Sequence, residues 1–230
     1  NEVLKNIQSV LQLILKDQFS AQENLLKVGN AIFVVGSKNK FWSELYAVLY
    51  KDLVAQIPIM SNICNYVHLP LQAGSNKVLN RMNRTYTKEE FIALANLIRK
   101  KLPKVGISTD IIVGFPGENK TEFNETLKVM DEIKFDSAFT FKYSSRPGTK
   151  ASEYKDHVLE GEKQERLEMV IAKQRAHTKK RNEDFVDNIE DVLIEKESKR
   201  SSNQWAGRTD SNKWVIFDKK NEKIGDIVPV

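Results

Sequence analysis

Two strand–turn–helix segments constrain the fold of this chain more than any other feature. The first runs from His68 to Ser75 (HLPLQAGS), and the second runs from Ser108 to Glu118 (STDIIVGFPGE). Each begins as an apolar strand, passes through a glycine-containing turn and leads into a helix. Strands joined in this way pair in parallel through right-handed crossovers. The pattern therefore predicts a (βα) barrel whose ligand lies in the loops after the strands.

Local signals place the elements around these segments. Thr87 followed by Glu90, and Asn119 followed by Glu122, each have the spacing of a capping box and predict a helix start. A strand is predicted from Ala138 to Tyr143, and a long charged helix from Glu160 to about residue 185. The chain beyond it alternates short apolar strands with polar turns, which indicates a small all-β domain.

The predicted organisation has three parts. Residues 1–62 are a poorly readable segment with helical spacing near both ends and a predicted short strand between, and divergent barrel units are one interpretation of it. Residues 63–184 form the later part of the barrel, and residues 185–230 form the β domain, expected to be truncated. The chain begins with Asn1 and ends at Val230, so both ends are expected to be cut rather than natural.

Composition excludes several classes of protein. Cys64 is the single cysteine among 230 residues, so neither an internal disulfide framework nor a cysteine-ligated metal site can form from this chain alone. No apolar run approaches the roughly 20 residues that span a bilayer, and no leader is recognisable. A net charge of +5 and a pI near 9.1 fit an anionic partner. A cytoplasmic protein is expected.

The residues of the two strand–turn–helix segments each have more than one possible role. The turn after the second strand, Gly114 to Glu118, can bring its backbone close to an anionic or polar ligand, or it can be a plain βα turn. Asp110 could point from the strand to a ligand, or it could bond its own loop. Ser75 fits a helix N-cap better than a cofactor contact. His68 fits a structural histidine.

Basic and aromatic residues raise the possibility of RNA binding. Arg81, Arg84 and Arg146 follow strand-end loops, where they could meet phosphates or simply be solvated. In the β domain, Trp205 and Trp214 accompany Arg208 and Lys213, a mixture suited to base stacking and phosphate contact, although tryptophans also fill small cores.

Taken together, these motifs resemble the radical SAM methylthiotransferases. The likeness covers His68 to Thr87, Ser108 to Glu118, Phe135 to Ser144 and Arg146 to Thr149, in the family's order. The β segment resembles the TRAM domain that closes those enzymes. The resemblance implies an α/β fold, a partial (βα) radical-SAM-type barrel followed by a small OB-like TRAM domain. It also implies an enzyme that inserts a methylthio group at C2 of a prenylated adenosine beside the anticodon.

The resemblance also implies ligands and partners. S-adenosylmethionine would be contacted by Gln72, Ser75, Asp110, Gly114, Phe115, Pro116, Gly117 and Glu118. The tRNA would be contacted by Arg81, Arg84, Lys142, Arg146, Trp205 and Arg208. An electron donor would be a further partner, and a monomer is expected.

The chain departs from this family in its cysteines. The family binds four-iron–four-sulfur (4Fe-4S) clusters through several thiolates, and this chain has one. We therefore expect the chain alone to be inactive. Two alternatives stay open: a non-catalytic RNA-binding relative and, less favoured, an enzyme that modifies a ribosomal protein.

Overall fold

The computed structural model describes residues 64–230, and the predictions for residues 1–62 lie outside this range. In chain order, the elements are β1 Tyr66–His68, α1 Asn76–Arg81, α2 Lys88–Lys101, β2 Gly106–Val113, α3 Lys120–Ile133, β3 Ser137–Lys142, α4 Glu160–Glu183, β4 Asp191–Glu197, β5 Gln204–Thr209, β6 Trp214–Asp218 and β7 Ile227–Pro229. A short 3₁₀ turn, Lys150–Glu153, precedes α4.

The first sheet has the order β1-β2-β3, and both pairings are parallel. The second sheet has the order β6-β5-β4-β7, and all its pairings are antiparallel. The predicted α/β fold, a partial barrel followed by a small all-β domain, is therefore confirmed.

Both predicted capping boxes are present. The Thr87 side chain accepts a hydrogen bond from the Glu90 amide at the start of α2, and Asn119 does the same with Glu122 at the start of α3. Each glutamate also bonds back to the cap residue, which satisfies amides that the helix leaves unpaired. Ser75 is different: it occupies the N-cap of α1, but its side chain forms no capping hydrogen bond. It is buried instead.

Strand β2 is covered along one face and only partly along the other. Ile107, Thr109 and Ile111 are fully buried on the face toward the helices. On the other face Ser108 is buried, whereas Asp110 and Ile112 are partly exposed. The inner face thus opens toward the carboxyl end of the strand, where a ligand would lie in a barrel.

Candidate functional site

A cleft of about 820 Å³ lies at the carboxyl ends of the three parallel strands. Its wall combines residues that follow β1, residues of β2 and the loop after it, the end of β3, and the chain around the 3₁₀ turn. Ligand sites in barrels form at this end because the loops after successive strands meet there. The cleft is therefore the candidate site among residues 64–230.

Asp110 is the acidic group of the cleft wall. It lies opposite Phe139 in the β2–β3 register, and about a quarter of its side chain is exposed. His68, on the neighbouring strand, approaches it at 3.4 Å through Nε2 and contacts the Ser108 hydroxyl at 2.7 Å through Nδ1. The long His68 contact leaves the Asp110 carboxylate able to accept a hydrogen bond from a ligand hydroxyl or ammonium group.

Gln72 is held beside Asp110 by backbone hydrogen bonds. Its amide donates to the Asp110 carbonyl at 2.8 Å, and its carbonyl accepts from the Ile112 amide at 2.9 Å. The backbone of Gln72 has a φ of 67°, a left-handed conformation uncommon for a residue with a side chain. Strain of this kind gathers at ligand sites, where the fold fixes a side chain in one place. Gln72 and Asp110 thus form one polar corner of the cleft.

The loop from Gly114 to Glu118 is fixed mainly by contacts within the protein. The buried Glu118 carboxylate accepts hydrogen bonds from the Gly114 amide and from Arg166, both at 2.6 Å. Burial raises the pKa of Glu118, and those two donors partly offset the rise. Gly114 and Gly117 both have positive φ, and a Cβ at Gly114 would strike Lys163.

The loop's residues therefore differ in their access to the cleft. Of the five, Phe115 lines it. Gly114, Pro116, Gly117 and Glu118 are not among its lining residues, and neither is Ser75.

All four basic residues predicted near the strand ends line the same cleft: Arg81, Arg84, Lys142 and Arg146. Arg81 lies 4.0 Å from Glu122 and 3.9 Å from Asp156, and Lys142 lies 2.6 Å from Glu160. Arg146 is exposed. The Nε atom of Arg84 is buried and has no hydrogen-bond partner among residues 64–230. An unpaired buried N–H is costly. The other N–H groups of a guanidinium are strong donors to a phosphate.

Of the two tryptophans of the β domain, Trp214 is the more exposed. Trp205 is half-buried under Lys219, whose Nζ lies 4.1 Å from the ring centre. Trp214 is 53% exposed, and two cations lie over its ring, Lys196 at 4.3 Å and Arg208 at 5.3 Å. Arg208 also bonds Glu195 at 2.5 Å. The sequence grouped Trp214 with Trp205 as suited to base stacking, but it named only Trp205 as an RNA contact.

An iron–sulfur cluster does not fit the residues present. Several thiolates are needed, and the chain has only Cys64. Burial, and next the neighbouring Asp210, raise the pKa of this thiol, so its metal-binding thiolate form is disfavoured. Residues 64–230 contain no group of three or more potential metal ligands.

S-adenosylmethionine fits better. Its amino acid and ribose groups need hydrogen-bond acceptors and donors, and the corner formed by Gln72 and Asp110 offers both. The apolar wall around Phe115 suits a flat base.

Comparison with known proteins matches both parts of the chain. A model of the radical SAM superfamily matches residues 47–130, and a TRAM domain model matches residues 186–230. The radical SAM match begins at residue 47, further toward the N-terminus than His68, where the first family motif begins. The boundaries predicted at residues 62 and 184 stay predictions.

Three curated relatives have similar sequence identity to this chain, and each is named tRNA-2-methylthio-N(6)-dimethylallyladenosine synthase. That of Clostridium tetani is 43% identical over 79% of this chain and 40% of the relative. That of Pelotomaculum thermopropionicum is 45% identical, covering 77% of this chain and 40% of the relative. That of Chlorobium phaeobacteroides is 42% identical, covering 87% of this chain and 45% of the relative. The chain thus spans about two-fifths of the length of these relatives.

Among solved structures, coproporphyrinogen III oxidase (HemN) from Escherichia coli, a radical SAM enzyme, matches with a TM-score of 0.48 and 16% identity. The match covers 70% of this chain and 44% of that one, a likeness too weak to support a conclusion. Within residues 64–230, no helix combines the length and the apolar character needed to cross a membrane.

Proposed function

Because this chain belongs to the radical SAM methylthiotransferases, we propose that it forms the S-adenosylmethionine-binding and tRNA-binding part of a tRNA methylthiotransferase. The observation that carries the proposal is the cleft itself. It joins a polar corner, Gln72 and Asp110, to five basic side chains: Arg81, Arg84, Lys142, Arg146 and Lys150. The relatives' name indicates the substrate class, a tRNA that carries N6-dimethylallyladenosine.

In this proposal the two halves of the cleft divide the work. Gln72 and Asp110 hold S-adenosylmethionine, which supplies the methyl group and the radical chemistry of this superfamily. Phe115 packs against it. Ser75, Gly114, Pro116, Gly117 and Glu118 hold the wall in place from behind. The same proposal includes an electron donor, a monomeric protein and a cytoplasmic location.

The basic side of the cleft and the β domain bind the RNA. Arg81, Arg84, Lys142 and Arg146 contact phosphates, which fixes the position of the anticodon loop. Trp214 is 53% exposed, so an unpaired base can reach its ring, and Lys196 and Arg208 beside it neutralise the adjacent phosphates. Trp205 lies on the opposite face of the same sheet, because it pairs with Phe217 in the β5–β6 register, whereas Trp214 pairs with Arg208. In this proposal it stabilises the sheet that carries Trp214.

Replacing Trp214 by alanine tests the RNA surface. We expect the variant to bind an anticodon hairpin at least about fivefold more weakly, because a stacked base contributes roughly 1–3 kcal/mol. Fluorescence anisotropy with a labelled hairpin measures the dissociation constant. Trp205→Phe, which keeps a large apolar ring at a half-buried position, serves as the control and should bind within twofold. Equal affinity of W214A and the parent would exclude Trp214 from the interface.

The single cysteine favours a second candidate function for this chain, RNA binding without catalysis. Anaerobic reconstitution with iron and sulfide, followed by absorbance and iron analysis, tests whether this chain alone can be catalytic. We expect no stable four-iron cluster on the chain and no cleavage of S-adenosylmethionine, while RNA binding persists. A stoichiometric cluster on the monomer would contradict this expectation and restore the catalytic function to the chain itself.

A further inference from the structure

Asp136 is a buried carboxylate at the amino end of β3, and donors surround it on both oxygens. Oδ2 accepts from the Ile107 amide at 2.9 Å. Oδ1 accepts from Lys213 Nζ at 2.8 Å and from Arg181 Nε at 3.3 Å. Arg99 adds a fourth nitrogen, 3.8 Å from Oδ2. A buried carboxylate needs such partners, because an uncompensated charge in the interior is costly.

Lys213 is the partner that comes from the other domain. It precedes β6, 77 residues after Asp136, and its side chain is only 10% exposed. Its Nζ also donates to the Asn182 side chain at 3.0 Å, near the end of α4, and lies 4.7 Å from the ring centre of Phe185. The ammonium group is therefore held by both the barrel and the connection that follows α4.

The β5–β6 turn that carries Lys213 touches the amino ends of the other two strands as well. The Asn65 amide group, just before β1, donates to Asp210 at 2.5 Å. The Ser211 carbonyl lies so close to Gly106, the first residue of β2, that a Cβ there would collide with it. One turn of the β domain is thus seated across the amino ends of all three parallel strands.

Two domains joined by a linker usually move relative to each other, so these contacts are unusual. We propose that Asp136 and Lys213 are positioning residues that hold the β domain in one orientation on the amino ends of the barrel strands. The cleft at the opposite strand ends and the Trp214 surface then keep a constant separation. A single RNA that reaches both surfaces gains affinity from this arrangement, because the second contact forms within one complex. This gain in RNA affinity rests on the proposed function, whereas the fixed orientation does not.

Pulsed electron resonance on the full chain tests the orientation directly. Nitroxide labels at Lys128→Cys on α3 and Lys220→Cys in the β domain, in a Cys64→Ser background, report the distance between the domains. We expect one narrow distance peak in this parent protein and loss of that peak in K213M. K213R, which can restore the ion pair, should recover it. Lys223→Met removes an exposed charge from the same domain and should leave the peak unchanged.

G106A tests the same seating without changing any charge, and it carries the test if K213M fails to fold. Its added methyl group should displace the Ser211 carbonyl and broaden the peak. A peak as narrow as the parent's in either folded variant would overturn the proposal. In the same proteins, we expect K213M to bind the anticodon hairpin at least roughly tenfold more weakly than the parent. A tenfold loss is at or below the gain in affinity that linking two binding surfaces usually provides. K213R should restore the affinity. If the parent binds no RNA, the proposed function fails, while the distance test still decides the orientation.

Discussion

Replacing Arg166 by methionine is expected to lower the free energy of unfolding by roughly 3–5 kcal/mol, the range for breaking a buried ion pair from one side. Arg166 lies on α4, and its guanidinium donates to the side chain of Glu118 at 2.6 Å and to its backbone carbonyl at 2.9 Å. Both side chains are almost fully buried. Methionine would fill much of the space but would leave the Glu118 carboxylate with the Gly114 amide as its remaining donor among these contacts.

The destabilisation should depend on pH in a defined direction. Burial already raises the pKa of Glu118 in the folded protein, and loss of Arg166 removes a group that lowers it. A carboxyl whose folded pKa exceeds its unfolded value favours folding at low pH and loses that contribution as the pH rises through the folded pKa. The difference between R166M and the parent should therefore be largest at neutral pH and shrink in acid, where Glu118 is protonated.

Urea unfolding at several pH values measures both effects. Arg175→Met is the matched control, because Arg175 is an exposed arginine on the same helix, and we expect it to change stability by less than about 0.5 kcal/mol. If the free energy of unfolding of R166M at neutral pH lies within about 1 kcal/mol of the parent's, the substitution costs little more than a surface substitution does. That result would show that the Glu118–Arg166 pair does not hold the cleft wall.

The double variant R84Q/R146Q is expected to weaken binding of the anticodon hairpin by roughly 30-fold at low salt, at about 1 kcal/mol for each contact. Both arginines line the cleft, and the Nε of Arg84 is buried without a partner within residues 64–230. Because each neutralised phosphate releases counterions, the slope of log affinity against log salt should become less negative by about 1.4 to 1.8. Anisotropy titrations between 50 and 200 mM salt, the range over which such losses are usually seen, give both quantities.

A charge-matched control separates a local contact from the overall charge of the protein. K100Q/K128Q removes the same charge from exposed positions on α2 and α3. We expect this variant to bind RNA within threefold of the parent, since its lysines lie outside the cleft wall. Equal losses in the two double variants would mean that net charge, not the cleft, attracts the RNA.

The parts of the fold that depend on neighbouring residues could be predicted from the sequence. Both capping boxes join residues three positions apart, so Thr87 with Glu90 and Asn119 with Glu122 were visible as local signals. The parallel sheet followed from the strand–turn–helix order. The gathering of the four basic residues around one cleft also agrees with the rule that strand carboxyl ends meet at one edge.

Features that depend on contacts between distant residues could not be predicted in the same way. Nothing local in the turn shows that Glu118 pairs with Arg166, 48 residues away. The Asp136–Lys213 contact spans 77 residues, and the sequence showed Lys213 merely as one basic residue in the β domain. The choice between Trp205 and Trp214 depended on which face of the second sheet is exposed, and sequence alternation alone does not say which face that is.

The most direct test of the account is a titration of the unaltered chain against an anticodon hairpin that carries N6-dimethylallyladenosine, from 50 to 200 mM salt. We expect saturable binding whose affinity falls steeply with salt, because several phosphates are neutralised in the cleft. A second titration with S-adenosylmethionine present should show binding of both ligands at once. Absence of RNA binding at low salt, or an affinity that does not change with salt, would show that this cleft and β domain do not form a tRNA-binding surface.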